Sequence, residues 1–185
     1  MTVANITIYI YLLYSKDKTL DVFKTYKAKV ENQLGNKVKV LRSDRGGEYE
    51  SLFLSELCEI NWVIHQTSTP YMPQQNGLDE RKNRTLKDMI NCMLNSSDLP
   101  HSLWGKTLLT TNLILNRIPH KKTDKPPYEV WNGKQPSYKI LKVWGCLAKV
   151  QVPLLKRTKL GQKKIDCVFI SYASHSAAYR FLVIK

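Results

Sequence analysis

The chain has 185 residues, 43% of them hydrophobic, which suits one domain, or a domain with a small appendage, and excludes a disordered tail. Lys and Arg number 29 against 15 Asp and Glu, a net charge of +14. Such a surplus repels itself, and it favours a polyanionic partner, nucleic acid before anionic membrane, over a merely solubilising surface.

The start, "MTVANITIYIYLLYSKDK", has neither a basic leader nor a small-residue cleavage site and reads as no signal peptide. No apolar run is long enough to span a bilayer, so no membrane partner is expected. Within it, residues 6–13, "ITIYIYLL", are β-branched, aromatic and apolar, which predicts a buried strand. Phe23, Tyr26, Val30 and Leu34 recur at helical spacing, with Gly35 as the C-cap. Residues 37–42, "KVKVLR", alternate and predict a second strand, with Asp44 just past its end. Gly46 and Gly47 make a turn into a short helix over "LFLSELCEI", and "WVIHQT" follows as a third strand.

The stretch "STPYMPQQNG" (68–77) carries two prolines, amides and a glycine, and predicts a mobile surface loop. From Leu78 to about Ser96 the pattern is helical, with Leu86, Met89, Ile90, Met93 and Leu94 as the core stripe. A further helix carries Trp104, Leu108, Thr111 and Leu115 and stops before Pro119. Residues 120–137, rich in Pro and Lys, read as a linker. After them "KVWGCLAKVQV", "DCVFISYA" and "YRFLVIK" are short strands of a small barrel or sandwich. The cysteines lack any Cys-x-x-Cys pair and the four histidines are scattered, which argues against disulfide staples and a zinc site.

A carboxylate at the C-terminal end of a strand sits where α/β folds place their chemistry. Asp44 has that position, and it also has the position of an ordinary turn aspartate before Gly-Gly. Glu80 lies 35 residues beyond it, counted as intervening residues, in the first turn of a basic helix. Asn83, Arg84 and Lys87 follow at i+3, i+4 and i+7 and share the face of Glu80, apart from the core stripe. That face presents one carboxylate among phosphate-seeking cations, or else a solvated face on which Glu80 pairs with Arg84. Hard cations such as Mg²⁺ take oxygen ligands, and two-cation phosphoryl-transfer sites draw them from separate elements. A third carboxylate is usual, and none stands out here.

"LRSDRGGEYES", "IHQTSTPYMPQQNGLDERKNRTL" and "WNGKQPSYKILKVWGC" resemble the integrase of copia-type (Ty1/copia) retrotransposon Pol polyproteins, over essentially the whole chain. The resemblance implies an α/β, RNase H-like core of the retroviral integrase superfamily and an Asp–Asp–Glu triad binding Mg²⁺ or Mn²⁺. The second and third members fall on Asp44 and Glu80, the catalytic and metal-ligating pair. The implied nucleic-acid contacts are Gln74, Gln75 and Asn76 from the loop and Arg81, Lys82, Asn83, Arg84 and Lys87 from the helix. The implied partners are DNA, as element ends and target, and a second copy of the chain as a homo-oligomer, in nucleus and cytoplasm.

The C-terminal part resembles the small SH3-like β module that follows this core. The expected organisation is a core over 1–119, a linker over 120–137 and the SH3-like segment over 138–185. Its Ile170-Ser171-Tyr172 replaces a family Ile-Gly-Tyr, so Ser171 is expected to strain the backbone. The family's first aspartate lies on a strand before the one "ITIYIYLL" resembles, so the chain reads as lacking it, together with the first strands of the core and the preceding His/Cys segment. The flanking strands are then left unpaired, which implies a partner, a remnant, or a reading frame begun too late. Three functions follow as alternatives: DNA strand transfer, close to nil with two carboxylates of three; a non-catalytic nucleic-acid-binding remnant; and an assembly module pairing through sheet edges.

Overall fold

Apolar residues at helical spacing build α1 (Thr19–Leu34), entered through a 3-10 turn at Lys16–Lys18. Gly35 ends it at φ 64 in the left-handed conformation, its N–H bonding the Glu31 carbonyl, a conformation that costs glycine nothing. The computed structural model describes residues 7–44, 46, 52–67, 77–119, 124–173 and 176–184. They fall into two compact units, Tyr11–Asn83 and Met1–Ile10 with Arg84–Lys185.

In the Tyr11–Asn83 unit, α1 precedes β1 (Val40–Ser43), α2 (Leu52–Ile60) and β2 (Ile64–Thr67). The strands pair in parallel, Val40 opposite Ile64 and Ser43 opposite Thr67, as a strand–helix–strand crossover requires. Leu54, Cys58 and Val63 are the buried centre, packed by Leu20, Phe23, Val38, Leu41 and Leu57. Glu31 ties the end of α1 to the chain entering β1. It accepts from Lys27 Nζ at 2.9 Å and from the Val38 N–H at 2.9 Å. The Lys27 bond is the main reason its carboxyl is held below the usual range.

The expected strand over 6–13 does not form where the structure describes it, residues 7–13. Strand propensity is realised only beside another strand. Here Asn116 takes the neighbour's place, its side-chain amide accepting from the Ile8 N–H at 2.9 Å and donating to the Ile8 carbonyl at 2.7 Å.

The other unit takes in α3 (Gly77–Ser97) from Arg84 onward, α4 (Trp104–Leu115), α5 (Pro127–Asn132), β3 (Leu147–Gln151), β4 (Lys164–Tyr172) and β5 (Tyr179–Val183). Within 120–137, therefore, a short helix forms, begun by Pro127 and closed by Gly133 at φ 66. The three strands make an antiparallel sheet in the order β3-β4-β5. Its core joins strand to helix: Leu94, Trp144 and Phe169 are buried, with Ile90, Met93, Tyr172, Tyr179 and Phe181 against them. Trp144 Nε1 donates to the buried Ile170 carbonyl at 2.7 Å. Ser171 is not strained as expected. It is buried without positive φ, and a register shift between Phe169 and Ser171 absorbs the irregularity.

Candidate active site

Parallel strands end together, so β1 and β2 deliver Ser43 and Thr67 side by side at their carboxyl ends. Asp44 is the next residue and is exposed. Its Oδ1 accepts the Gly46 N–H at 3.3 Å, an Asx turn of the kind that favours aspartate before glycine. Ser43 Oγ donates to the Asp44 carbonyl at 3.0 Å and lies 2.9 Å from His65 Nε2 on β2. One residue back, Arg42 Nη2 donates to Gln66 Oε1 at 3.1 Å.

Glu80 stands in the first turn of α3 beside Asp79, where the helix dipole favours negative charge. It is exposed, as are Arg81, Asn83, Arg84 and Lys87, while Leu86 and Leu94 are buried. Among the described residues Glu80 has no ion-pair partner, so the pairing with Arg84 that the spacing allows is not made. Arg81 Nε donates to the Gly77 carbonyl at 2.9 Å, which ties its guanidinium to the start of the helix. Lys82 is half-buried; burial lowers its pKa, and the charge of Asp79 works the other way. Gln74, Gln75 and Asn76 lie outside the described residues.

Carboxylate oxygens are the donors hard divalent cations prefer, and Asp44 offers Oδ2 and the remaining lone pairs of Oδ1. Asp44 and Glu80 thus fit Mg²⁺ or Mn²⁺ by donor type, as two ligands where two-cation sites use more. Among the described residues no group of three or more His, Cys, Asp or Glu is placed to hold a metal ion. None of their helices is long and apolar enough to cross a membrane.

The four histidines look scattered in the sequence, and His65 is missed on that basis. Its approach to Ser43 depends on the register that sets Leu41 opposite His65, a non-local fact. Period-2 alternation on both strands is the one signal that would have put Leu41, Ser43, His65 and Thr67 on a common face.

A parallel strand pair with its helices, followed by a small antiparallel sheet, has the fold of the retroviral integrases. The simian T-cell lymphotropic virus intasome chain, solved with PP2A regulatory subunit B56 gamma, superposes at TM-score 0.51 and 15% identity, over 94% of this chain and 63% of that one. The HTLV-2 integrase catalytic core domain, solved with magnesium, aligns at TM-score 0.47 and 20% identity, over 63% of this chain and 70% of that one. Residues 146–185 match the family described as the retroviral polymerase SH3-like domain. The retrovirus-related Pol polyprotein from transposon TNT 1-94 of Nicotiana tabacum is 41% identical over 174 residues, 94% of this chain and 13% of that protein. That from transposon RE2 of Arabidopsis thaliana is 31% identical over 177 residues, 95% of this chain and 12% of that protein.

Over most of its length the chain is similar to a fragment of the copia-type retrotransposon Pol polyproteins, with an integrase-type fold followed by the SH3-like segment. It spans about an eighth of the length of these relatives.

Proposed function

We propose that this chain is the DNA-handling part of a copia-type integrase, acting in DNA strand transfer. On this reading Asp44 and Glu80 are two of three metal-ligating carboxylates, and Arg84, Lys87 and Asn83 meet phosphates, with Arg81 and Lys82 nearer the helix start. Gln74, Gln75 and Asn76 contact DNA from the preceding loop. The observation that carries this is the position of Asp44 at the carboxyl end of a parallel strand, combined with Glu80 in the first turn of a helix whose exposed face is basic. A bound Mg²⁺ or Mn²⁺ would supply activation of the attacking 3′ hydroxyl and charge stabilisation at the phosphate. The chain's own residues bind DNA by phosphate neutralisation and orient the two carboxylates.

The proposed organisation is a core over 1–119, a linker over 120–137 and the SH3-like segment over 138–185, working as a homo-oligomer on nuclear DNA after cytoplasmic synthesis. With two carboxylates, the chain by itself binds DNA and joins none. The test incubates the purified chain with element-end duplex, target DNA and Mg²⁺, beside Asp44→Ala and Glu80→Ala variants. Binding that survives both substitutions, with no joined product, is expected. Joining by the wild type that Glu80→Ala abolishes would show the site complete within these residues and overturn the two-carboxylate account. Undetectable DNA binding would overturn the reading itself.

A second reading, a non-catalytic nucleic-acid-binding remnant, is favoured by one observation: Asp44 Oδ1 is engaged in a turn with Gly46. It predicts the same binding, and no joining even when a chain supplying the first aspartate is added.

A further inference from the structure

The end of β1 is held by a short chain of hydrogen bonds that runs across the strand pair to Asp44. Ser43 has one hydroxyl proton to give, and it is directed at the Asp44 carbonyl oxygen, 3.0 Å away. Ser43 Oγ must then accept at its other contact, so His65 Nε2, 2.9 Å away, is the donor. With the imidazole as its Nε2–H tautomer, the order is His65 Nε2–H to Ser43 Oγ–H to the Asp44 carbonyl. The Gly46 N–H meets Asp44 Oδ1 at 3.3 Å. The backbone of Asp44 is thereby fixed on one side by β2 and its carboxylate on the other by the turn. Oδ2 is left for an outside ligand.

We infer that His65, acting through Ser43, is a positioning residue for Asp44, presetting the carboxylate for a divalent cation. It rests on the reading of Asp44 as a cation ligand. The physical reason is general: a group that fixes a ligating side chain lowers the ordering cost of binding, and removing such support costs roughly tenfold or more in metal affinity. A cation held by few carboxylates is bound weakly, so the readout must work at millimolar metal. Paramagnetic broadening by Mn²⁺ of the Gly46 amide resonance does so, because that N–H lies against the carboxylate.

The isotope-labelled full chain is titrated with Mn²⁺, and the midpoint for loss of the Gly46 amide signal is read. Ser43→Ala and His65→Phe are expected to raise that midpoint about tenfold. His65→Gln, whose amide nitrogen reaches the place of Nε2 and donates, is expected to stay within about twofold of wild type, since the donor is retained. The Ser43→Ala/His65→Phe double variant should be no worse than either single change, because both break one chain of bonds. A generic packing role for His65 would give neither the rescue nor the non-additivity.

If His65→Phe does not fold, Ser43→Ala carries the test, since it removes only a hydroxyl. An unchanged midpoint in both Ser43→Ala and His65→Phe overturns the inference, and so does a glutamine variant as impaired as the phenylalanine one. Asp44→Asn separates this from failure of the underlying reading. If it leaves the broadening intact, or if the wild type shows none, the cation is not on Asp44 and both statements fall.

Discussion

The sheet β3–β4–β5 closes over Phe169, 1% exposed, whose ring meets Tyr172, Tyr179 and Phe181 edge-on at 5.1, 5.7 and 6.1 Å. The pair β1–β2 leaves Val40 and Ile64, partners across its ladder, 46% and 61% exposed. An antiparallel sheet is complete with one face packed, whereas parallel strands are normally covered on both. The SH3-like sheet has its apolar face filled by α3 and its own aromatics. The parallel pair, which leads into Asp44, is backed by Leu54 and Cys58 of α2 with Val63, and its other face is exposed at Val40 and Ile64. Stability is concentrated in one region and the candidate chemistry in the other. Side-chain bonds such as Ser43–His65 and Arg42–Gln66 hold the strand ends where burial does little.

Four substitutions sharpen or break this comparison. Phe169→Ala empties the aromatic cluster and is expected to cost about 3–5 kcal/mol. Urea melts followed by tryptophan fluorescence would show it, and a loss near 1 kcal/mol would mean that the cluster is not the centre of that unit. Gly145→Ala comes next. Gly145 sits at φ +80, and an added Cβ would lie 2.5 Å from Ser97 Cβ at the end of α3. Strain and overlap together are expected to cost about 2–4 kcal/mol. A silent change in the same melts would mean that the sheet and the helix end can move apart cheaply.

The third prediction has the opposite sign and lies in the other region. Trp62, just after α2, has φ 56 and is 91% exposed, so its ring gains little from burial while its backbone sits where glycine is at ease. Trp62→Gly is expected to stabilise by up to about 1 kcal/mol, read as slower amide exchange in α2. Faster exchange would show the indole to be holding α2 in place.

The smallest effect concerns Glu31. Its carboxyl is held below its ordinary value of 4.5 by Lys27 and the Val38 N–H. Depressed in the folded chain, it adds stability that is present above about pH 4.5 and is lost as pH falls through the lower folded value. Glu31→Gln should therefore lower the melting temperature slightly near neutral pH and not at all in strong acid. An equal deficit at both pH values would assign the effect to packing instead.

The sequence could be read wherever the determinants are local. The helix over "LFLSELCEI" forms over the residues expected, Leu52–Ile60, because its apolar spacing is written within that stretch. Gly35 as a C-cap and the exposed face of Glu80, Asn83, Arg84 and Lys87 were legible for the same reason. "ITIYIYLL" misled because a strand is a property of two segments, and propensity speaks for one. Ser171 misled similarly: whether a residue strains a strand depends on the register with its neighbour, and here an extra residue on β4, between Phe169 and Ser171, accommodates it. At the candidate site, Asp44 and Glu80 were singled out by position together with the family resemblance. His65 was not, since only strand pairing brings it to Ser43.

The central claim is that the basic face of α3 meets DNA, and the salt dependence of binding tests it most directly. Anisotropy of a labelled duplex is followed from low to moderate salt for the wild type and for a variant with Arg81, Lys82, Arg84 and Lys87 all changed to Gln. Each neutralised phosphate contributes about −0.9 to the slope of log K against log salt, so removing four cations should make the slope shallower by about three and a half. An unchanged slope would place the phosphate contacts elsewhere on the chain and contradict the account.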